Sequence, residues 1–195
     1  PPRSTLFPYT TLFRSQWTFG NTNHLSAPVE SFGFNFGAPG DRSDDDGVLW
    51  FDYPIVGGPS PKITIKTTPK TPRTFARHSL LLPTHDFNWI GASGFDGVTQ
   101  VQLSMPKSKK KARYTVRLIF SEPELKQACV RVFSVSLNGQ TVLKFLDIAA
   151  LAKEPGQTIV REFKDVEIDK KLTIDLQPLT EAQPVLSGIS IVQQP

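Results

Sequence analysis

Between residues 129 and 148 the chain reads CVRVFSVSLNGQTVLKFLDI, and the dipeptide Asn138-Gly139 at its centre restricts the fold more than any other pair of residues. Phe133, Val135 and Leu137 alternate with Ser134 and Ser136, the period of a strand with one face in a core. Asn-Gly tolerates the positive φ angles of a tight type I′ turn, and Thr141, Val142 and Leu143 then resume an apolar, β-branched run, so a β-hairpin is predicted. Cys129 is the sole cysteine and can form no intrachain disulfide. Among apolar neighbours it is expected to be a small buried strand residue rather than a nucleophile.

Seventeen prolines and thirteen glycines punctuate the chain between short β-branched and aromatic runs, which leaves little room for long helices. Phe32, Phe34 and Phe36 alternate with Gly33, Asn35 and Gly37, predicting a first strand with an aromatic face. Further strands are predicted over residues 48–53, 63–66, 75–82, 88–90, 101–105, 114–120, 159–168, 172–176 and 187–192. Residues 57–61 read as a long turn, with Lys62, Lys66, Lys70 and Arg73 along a solvated edge. Residues 91–97 read as a glycine-rich loop holding Phe95, and 107–111 as a lysine-rich turn. One helical turn is expected over 149–153, stopped by Pro155-Gly156. The strands 159–168 and 172–176 are expected to pair across 169–171. Ten to twelve strands exceed what one open sheet usually holds, so the fold class is all-β, an antiparallel β-sandwich of two packed sheets.

The first fifteen residues are set aside. Residues 5–15, TLFPYTTLFRS, are the codon-by-codon translation of a common short-read sequencing adapter, and Arg3-Ser4 repeats its last two codons, so 1–15 is read as an artefactual segment. Residues 16–30 are polar and irregular, a linker arriving from something upstream, in which Trp17 and Phe19 are the exceptions. The sandwich domain is then 31–195. Arg3 and Arg14 carry two of the four net positive charges, so the basic balance is partly artefact and no nucleic-acid partner is implied. No run approaches the ~20 apolar residues of a membrane span.

Catalytic patterns are weak. Ser93 lies in G-A-S-G without the strand-turn-helix elbow of a hydrolase serine. His24, His78 and His85 lack metal-ligand spacing, and no metal or other cofactor is expected. Asp41, Ser43, Asp45 and Asp52 fall at offsets 1, 3, 5 and 12 of a twelve-residue calcium loop, but its glycine and last ligand do not match, and a solvated turn is the better reading. Aromatic rings beside carboxylates and amides are what sugar recognition needs, since a pyranose stacks a C–H face on a ring while its hydroxyls pair with planar groups. Trp50, Tyr53, Trp89 and Phe95 supply rings; Asp46, Asp52, Asn88 and Asp96 supply partners. The same rings would equally serve as sandwich core.

Three segments, in order, resemble the malectin (di-glucose-binding-like) family. Residues 34–37 (FNFG), with Asp46-Gly47, Trp50 and Asp52, are similar to its opening strand and turn; YTVRLIF with Ser121-Glu122 is similar to its Y-x-V-x-L-x-F-x-E strand; and the hairpin RVFSVSLNGQTVLKFLDI and the terminal PVLSGISIV complete the likeness. The resemblance implies a β-sandwich that binds an oligosaccharide or polysaccharide without catalysis, as an accessory, extracytoplasmic domain of a larger bacterial secreted protein. It places Phe95 where the family has paired aromatics. The family's final aspartate falls at Ala182, with Glu181 beside it as the substitute. The expected ligand-binding set is thus Trp50, Asp52, Tyr53, Trp89, Phe95 and Glu181. The alternative is a structural or protein-interaction sandwich packing on an upstream domain, such as a quinoprotein-like propeller.

Overall fold

A computed structural model of the chain describes residues 31–45, 47–55, 63–79, 82–83, 87–105, 112–124 and 127–194. The expected artefactual segment and linker, Asp46, His24 and His85, and the turns at 57–61 and 107–111 lie outside the described residues. Among the described residues there are fourteen strands: β1 (Ser31–Phe36), β2 (Arg42–Ser43), β3 (Leu49–Tyr53), β4 (Thr64–Thr68), β5 (Arg73–Ala76), β6 (Ser93–Asp96), β7 (Gln100–Ser104), β8 (Ala112–Phe120), β9 (Val132–Leu137), β10 (Gln140–Asp147), β11 (Ile159–Ile168), β12 (Lys171–Pro178), β13 (Val185–Leu186) and β14 (Gly188–Gln193). The single helical turns α1 (Asn88–Gly91) and α2 (Ile148–Leu151) interrupt them.

The strands form a six-stranded sheet in the order β11-β8-β14-β1-β3-β2, a five-stranded sheet β10-β9-β12-β7-β4, and a small sheet β13-β6-β5. The expected all-β sandwich is what the chain adopts. Pairing is antiparallel except between β1 and β3, which run parallel with Gly33 opposite Trp50. The alternation read from the sequence decides the core. Phe32, Phe34 and Phe36 of the large sheet and Val101, Leu103, Phe133, Val135, Leu172, Ile174 and Leu176 of the second belong to one buried cluster. Each such side chain contributes roughly 1.5–3 kcal/mol by leaving water.

The predicted hairpin is β9 and β10. Asn138 and Gly139 adopt φ of 49° and 83°, as a type I′ turn demands. Asn138 does more than turn the chain: its Nδ2 donates to Glu167 O at 3.0 Å and its Oδ1 accepts from Thr173 N at 3.0 Å, tying the hairpin tip to β11 and β12.

Four expectations are corrected. Strands β11 and β12 do not pair with each other; β11 adds to β8 and β12 lies between β7 and β9, so the short turn between them crosses from sheet to sheet and Ile168 and Leu172 both enter the core. Residues 88–90 are a helical turn rather than a strand, started by Phe87 at φ 61°, whose carbonyl accepts from Ile90 N and Gly91 N. The glycine-rich stretch around Phe95 is strand β6 rather than a loop: a Cβ on Gly94 would stand 2.7 Å from the Phe75 ring, so this glycine permits close packing between β5 and β6. Cys129 is exposed, in a turn at φ 67° before β9 begins, because Asp147 accepts from its N–H and Thr180 Oγ1 donates to Val130 O, drawing the segment out of the strand.

Candidate functional site

The six expected ligand-binding residues fall into separate groups. Trp50 and Trp89 lie on the outer face of the large sheet, in a minor cluster with Val48, Ile90 and Ile119. Trp50 is only 1% exposed. Its ring lies on Gly33, where a Cβ would come within 2.3 Å of Trp50 Cδ2, and its Nε1 donates to Asp44 Oδ2 at 2.9 Å. Asp44 also accepts from Val48 N at 2.8 Å, so this carboxylate closes the turn that sets the indole in place. Trp89 is half-buried; it meets Trp50 edge-on with centroids 5.8 Å apart, and the Arg42 guanidinium stands 4.5 Å from its own ring centroid. An arginine thus stands over the ring of Trp89.

Asp52 is buried beside Asp41, whose Oδ1 accepts from Asp52 N at 2.9 Å. Burial, with a further push from the Asp52 carboxyl, raises the Asp41 carboxyl above its ordinary value, although the Asp52 amide pulls the other way. Of the calcium-loop positions only these two are brought together, while Asp45 is exposed on the turn. Among the described residues no group of three or more His, Cys, Asp or Glu is placed to hold a metal ion.

Phe95 is fully buried, stacked on Phe36 at 4.5 Å, and presents no face to a ligand from solvent. Trp50 and Phe95 therefore serve as core. Tyr53 stands edge-on to Phe95 at 6.1 Å and remains half-buried. Next to Phe95, Asp96 is the hub of an ionic network. Its Oδ2 accepts from Arg73 and its Oδ1 from Arg131 Nη1 at 3.2 Å. Arg131 Nε in turn donates to Glu122 Oε2 at 2.9 Å, and Nη1 also reaches Gln183 O. Arg131 is 3% exposed at the side chain, whereas Arg73 is 76% exposed. Glu181, exposed, lies two residues from Gln183, whose Nε2 reaches Glu181 O at 3.5 Å. Asp96 thus anchors the surface cation Arg73 and, through Arg131 and Gln183, is linked to the turn that carries Glu181, while Tyr53 contacts the Phe95 and Phe36 rings.

Arg131, Glu122 and Gln183 were not singled out as site residues from sequence. The first two lie in the segments that resemble the family, and the signal is a charge just after β8 and another just before β9. Behind Glu122, Arg77 Nη2 donates to Ser121 Oγ at 2.7 Å, while Arg77 Nε is buried without a partner among the described residues. Burial pulls this guanidinium below its ordinary value and Glu122 pushes back.

Residues 100–195 match the Malectin domain family. Comparison with curated proteins finds no match. Among solved structures the chain is similar to a β-glucuronidase of Bacteroides uniformis, with TM-score 0.64 and 12% identity over 85% of this chain and 18% of that one. It is similar to the ANXUR2 extracellular domain from Arabidopsis thaliana, with TM-score 0.63 and 16% identity over 83% of this chain and 48% of that one. The plant receptor-like kinase FER gives TM-score 0.55 and 20% identity over 83% and 48%. At these identities the likeness is one of fold, and the chain spans about a fifth of the glucuronidase and about half of the plant proteins. Among the described residues no helix is long and apolar enough to cross a membrane. The family match begins at β7 and takes in the Y-x-V-x-L-x-F-x-E strand, the hairpin and the terminal strand that carried the resemblance, so the chain carries a malectin-type β-sandwich domain.

Proposed function

We propose that this domain is a non-catalytic carbohydrate-binding module of a larger extracytoplasmic bacterial protein, taking its glycan at the Tyr53 end of the sandwich. The observation that carries the reading is the half-buried Tyr53 ring edge-on to Phe95, whose chain neighbour Asp96 anchors Arg73 and Arg131. A phenol ring offers a face for pyranose C–H groups. Arg73, fixed through Asp96, keeps N–H donors for hydroxyls, and Glu181 supplies an acceptor. The Malectin domain match supports a carbohydrate ligand, and the extracellular placement of the ANXUR2 domain supports an extracytoplasmic one. Little area is buried at such a surface, so affinity is expected on the order of micromolar to millimolar.

The test is isothermal titration of the full chain with gluco-, manno- and galacto-oligosaccharides, repeated with Tyr53→Ala and Trp89→Ala. Saturable heat with one sugar class, lost in Tyr53→Ala, supports the reading. Loss in Trp89→Ala alone would move the site to the outer face of the large sheet. A flat response from folded protein would sink it.

A second reading, a protein-interaction sandwich packing on an upstream domain such as a quinoprotein-like propeller, is favoured by exposed apolar side chains. Phe145 on β10, at the edge of its sheet, is 78% exposed, and Ile55 is 51% exposed. Recovery of the natural upstream chain, and its retention by this domain but not by Phe145→Ser, would select this reading if sugars give no response.

A further inference from the structure

A concavity borders Glu122, and none of Tyr53, Arg73 and Glu181 lines it. It is a cavity of about 280 Å³ bounded by α2, by the turn after it and by the segment before Cys129. Ile148, Ala149 and Ala152 give it an apolar wall, and Ala128 and Gly156, being small, leave it open. Its polar groups act in both senses. Glu122, nearly sealed from water, accepts from Glu124 N at 3.2 Å and from Arg131 at 2.9 Å, which uses about half of the roughly four acceptor positions of a carboxylate. Gln157 uses its side-chain oxygen to accept from Lys153 N at 2.6 Å, so its NH2 is the donor end it has to offer.

Charge and size narrow the ligand. Glu122 is matched by Arg131, and Glu154 at the wall has Lys153 beside it in sequence, so no excess charge selects an ion. What remains is carboxylate and amide hydrogen bonding next to C–H surface, the chemistry that suits a neutral polyhydroxy compound. The volume lies just under the roughly 300–1,000 Å³ of pockets for drug-sized ligands, the size for one ring rather than a chain.

We propose that the cavity between Glu122, α2 and Gln157 is a subsite for a single neutral sugar unit, separate from the Tyr53 end. It rests on the carbohydrate-binding reading for the ligand class but not for its location. Arg131 joins the two places, since its Nε holds Glu122 and its Nη1 holds Asp96.

The test is amide chemical-shift mapping of the ¹⁵N-labelled full chain titrated with the methyl glycosides of glucose, galactose and mannose. Saturable shifts at Ala128, Ala149, Ala152, Gly156 and Gln157 are expected with one of them. Ala149→Trp, which fills the cavity, should weaken that binding at least about tenfold. Should Ala149→Trp fail to fold, Gln157→Ala, on the surface of the turn, carries the same expectation. Tyr53→Ala should leave these shifts in place. Shifts confined to the residues around Tyr53 and Glu181 would overturn the subsite and leave the proposed function standing. No saturable shift anywhere in folded protein, with oligosaccharides also silent, would overturn both.

Discussion

Arg131 and Glu122 form a salt bridge of 2.9 Å whose side chains are 3% and 5% exposed, and the two residues come from opposite sides of a long loop between β8 and β9. Removing one partner from a buried pair leaves an uncompensated charge, which typically costs about 3–5 kcal/mol. Arg131→Met is therefore expected to lower unfolding free energy by roughly that amount. Urea denaturation followed by near-ultraviolet circular dichroism checks it. A change under about 1 kcal/mol would show that Glu122 finds another partner, Arg77 being the nearest cation in effect.

Gly33→Ala places a methyl group where the Trp50 ring lies, within 2.3 Å of Cδ2. Overpacking of this kind costs about 1–3 kcal/mol. Trp50 is the side chain displaced, so tryptophan emission of the folded state should shift to the red together with the loss of stability. An unchanged spectrum would contradict the close packing described for the outer face.

Asn138→Ala removes two hydrogen bonds that join the hairpin tip to Glu167 and Thr173, and it leaves a less tolerant residue at φ 49°. The expected loss is about 1–2 kcal/mol. Hydrogen exchange should quicken not only in β9 and β10 but at the end of β11, because Glu167 loses its partner. Faster exchange in the hairpin alone would contradict the tie to β11.

Asp41 and Glu162 make opposite contributions to the pH dependence. The Asp41 carboxyl is raised above 3.8 chiefly by burial, so its contribution to stability is fully present below the unfolded value and is lost as pH rises through the folded one. Glu162, lowered chiefly by its hydrogen bond from Arg117, contributes stability above its unfolded value and loses it as pH falls through the folded one. Asp41→Asn keeps a side-chain oxygen for Asp52 N while removing the charge. It is expected to stabilise the protein at pH 7 by on the order of 0.5 kcal/mol, after allowance for screening at a partly exposed site. Unfolding curves at neutral and acid pH measure this. A variant less stable than the parent at pH 7 would show that the Asp41 charge is favourable.

The sequence discloses the hairpin and the core alternation because both are local: Asn138-Gly139 sets its own φ angles, and Phe32, Phe34 and Phe36 repeat at the strand period whatever lies opposite. Partner choice is not local. The strands around residues 169–170 read as a hairpin by proximity, yet Ile168 and Leu172 gain more by facing each other's sheets across the core. The aromatic set shows the same limit. The sequence offers Trp50, Tyr53, Trp89 and Phe95 alike as rings and Glu181 as a substitute for the family's aspartate, but only the fold shows that Gly33 makes room for Trp50, that Phe36 covers Phe95 and that Arg42 stands over Trp89. Arg131 was visible as a motif letter, while its bridge from Glu122 to Asp96 depends on a loop that returns to β6 from far along the chain.

Ser31, the first residue of β1, pairs with Val192 near the end of β14. During synthesis β1 waits beside an absent neighbour until almost the whole domain has been made, and its aromatic face stays without the strand that borders it. Contacts so distant in sequence are slow to form, and an unpaired strand edge is the part of a nascent chain most open to wrong partners. Truncation before Gly188 would thus strand Phe32, Phe34 and Phe36 next to an open edge, and the expected fate of such a fragment is aggregation rather than a smaller, stable sandwich.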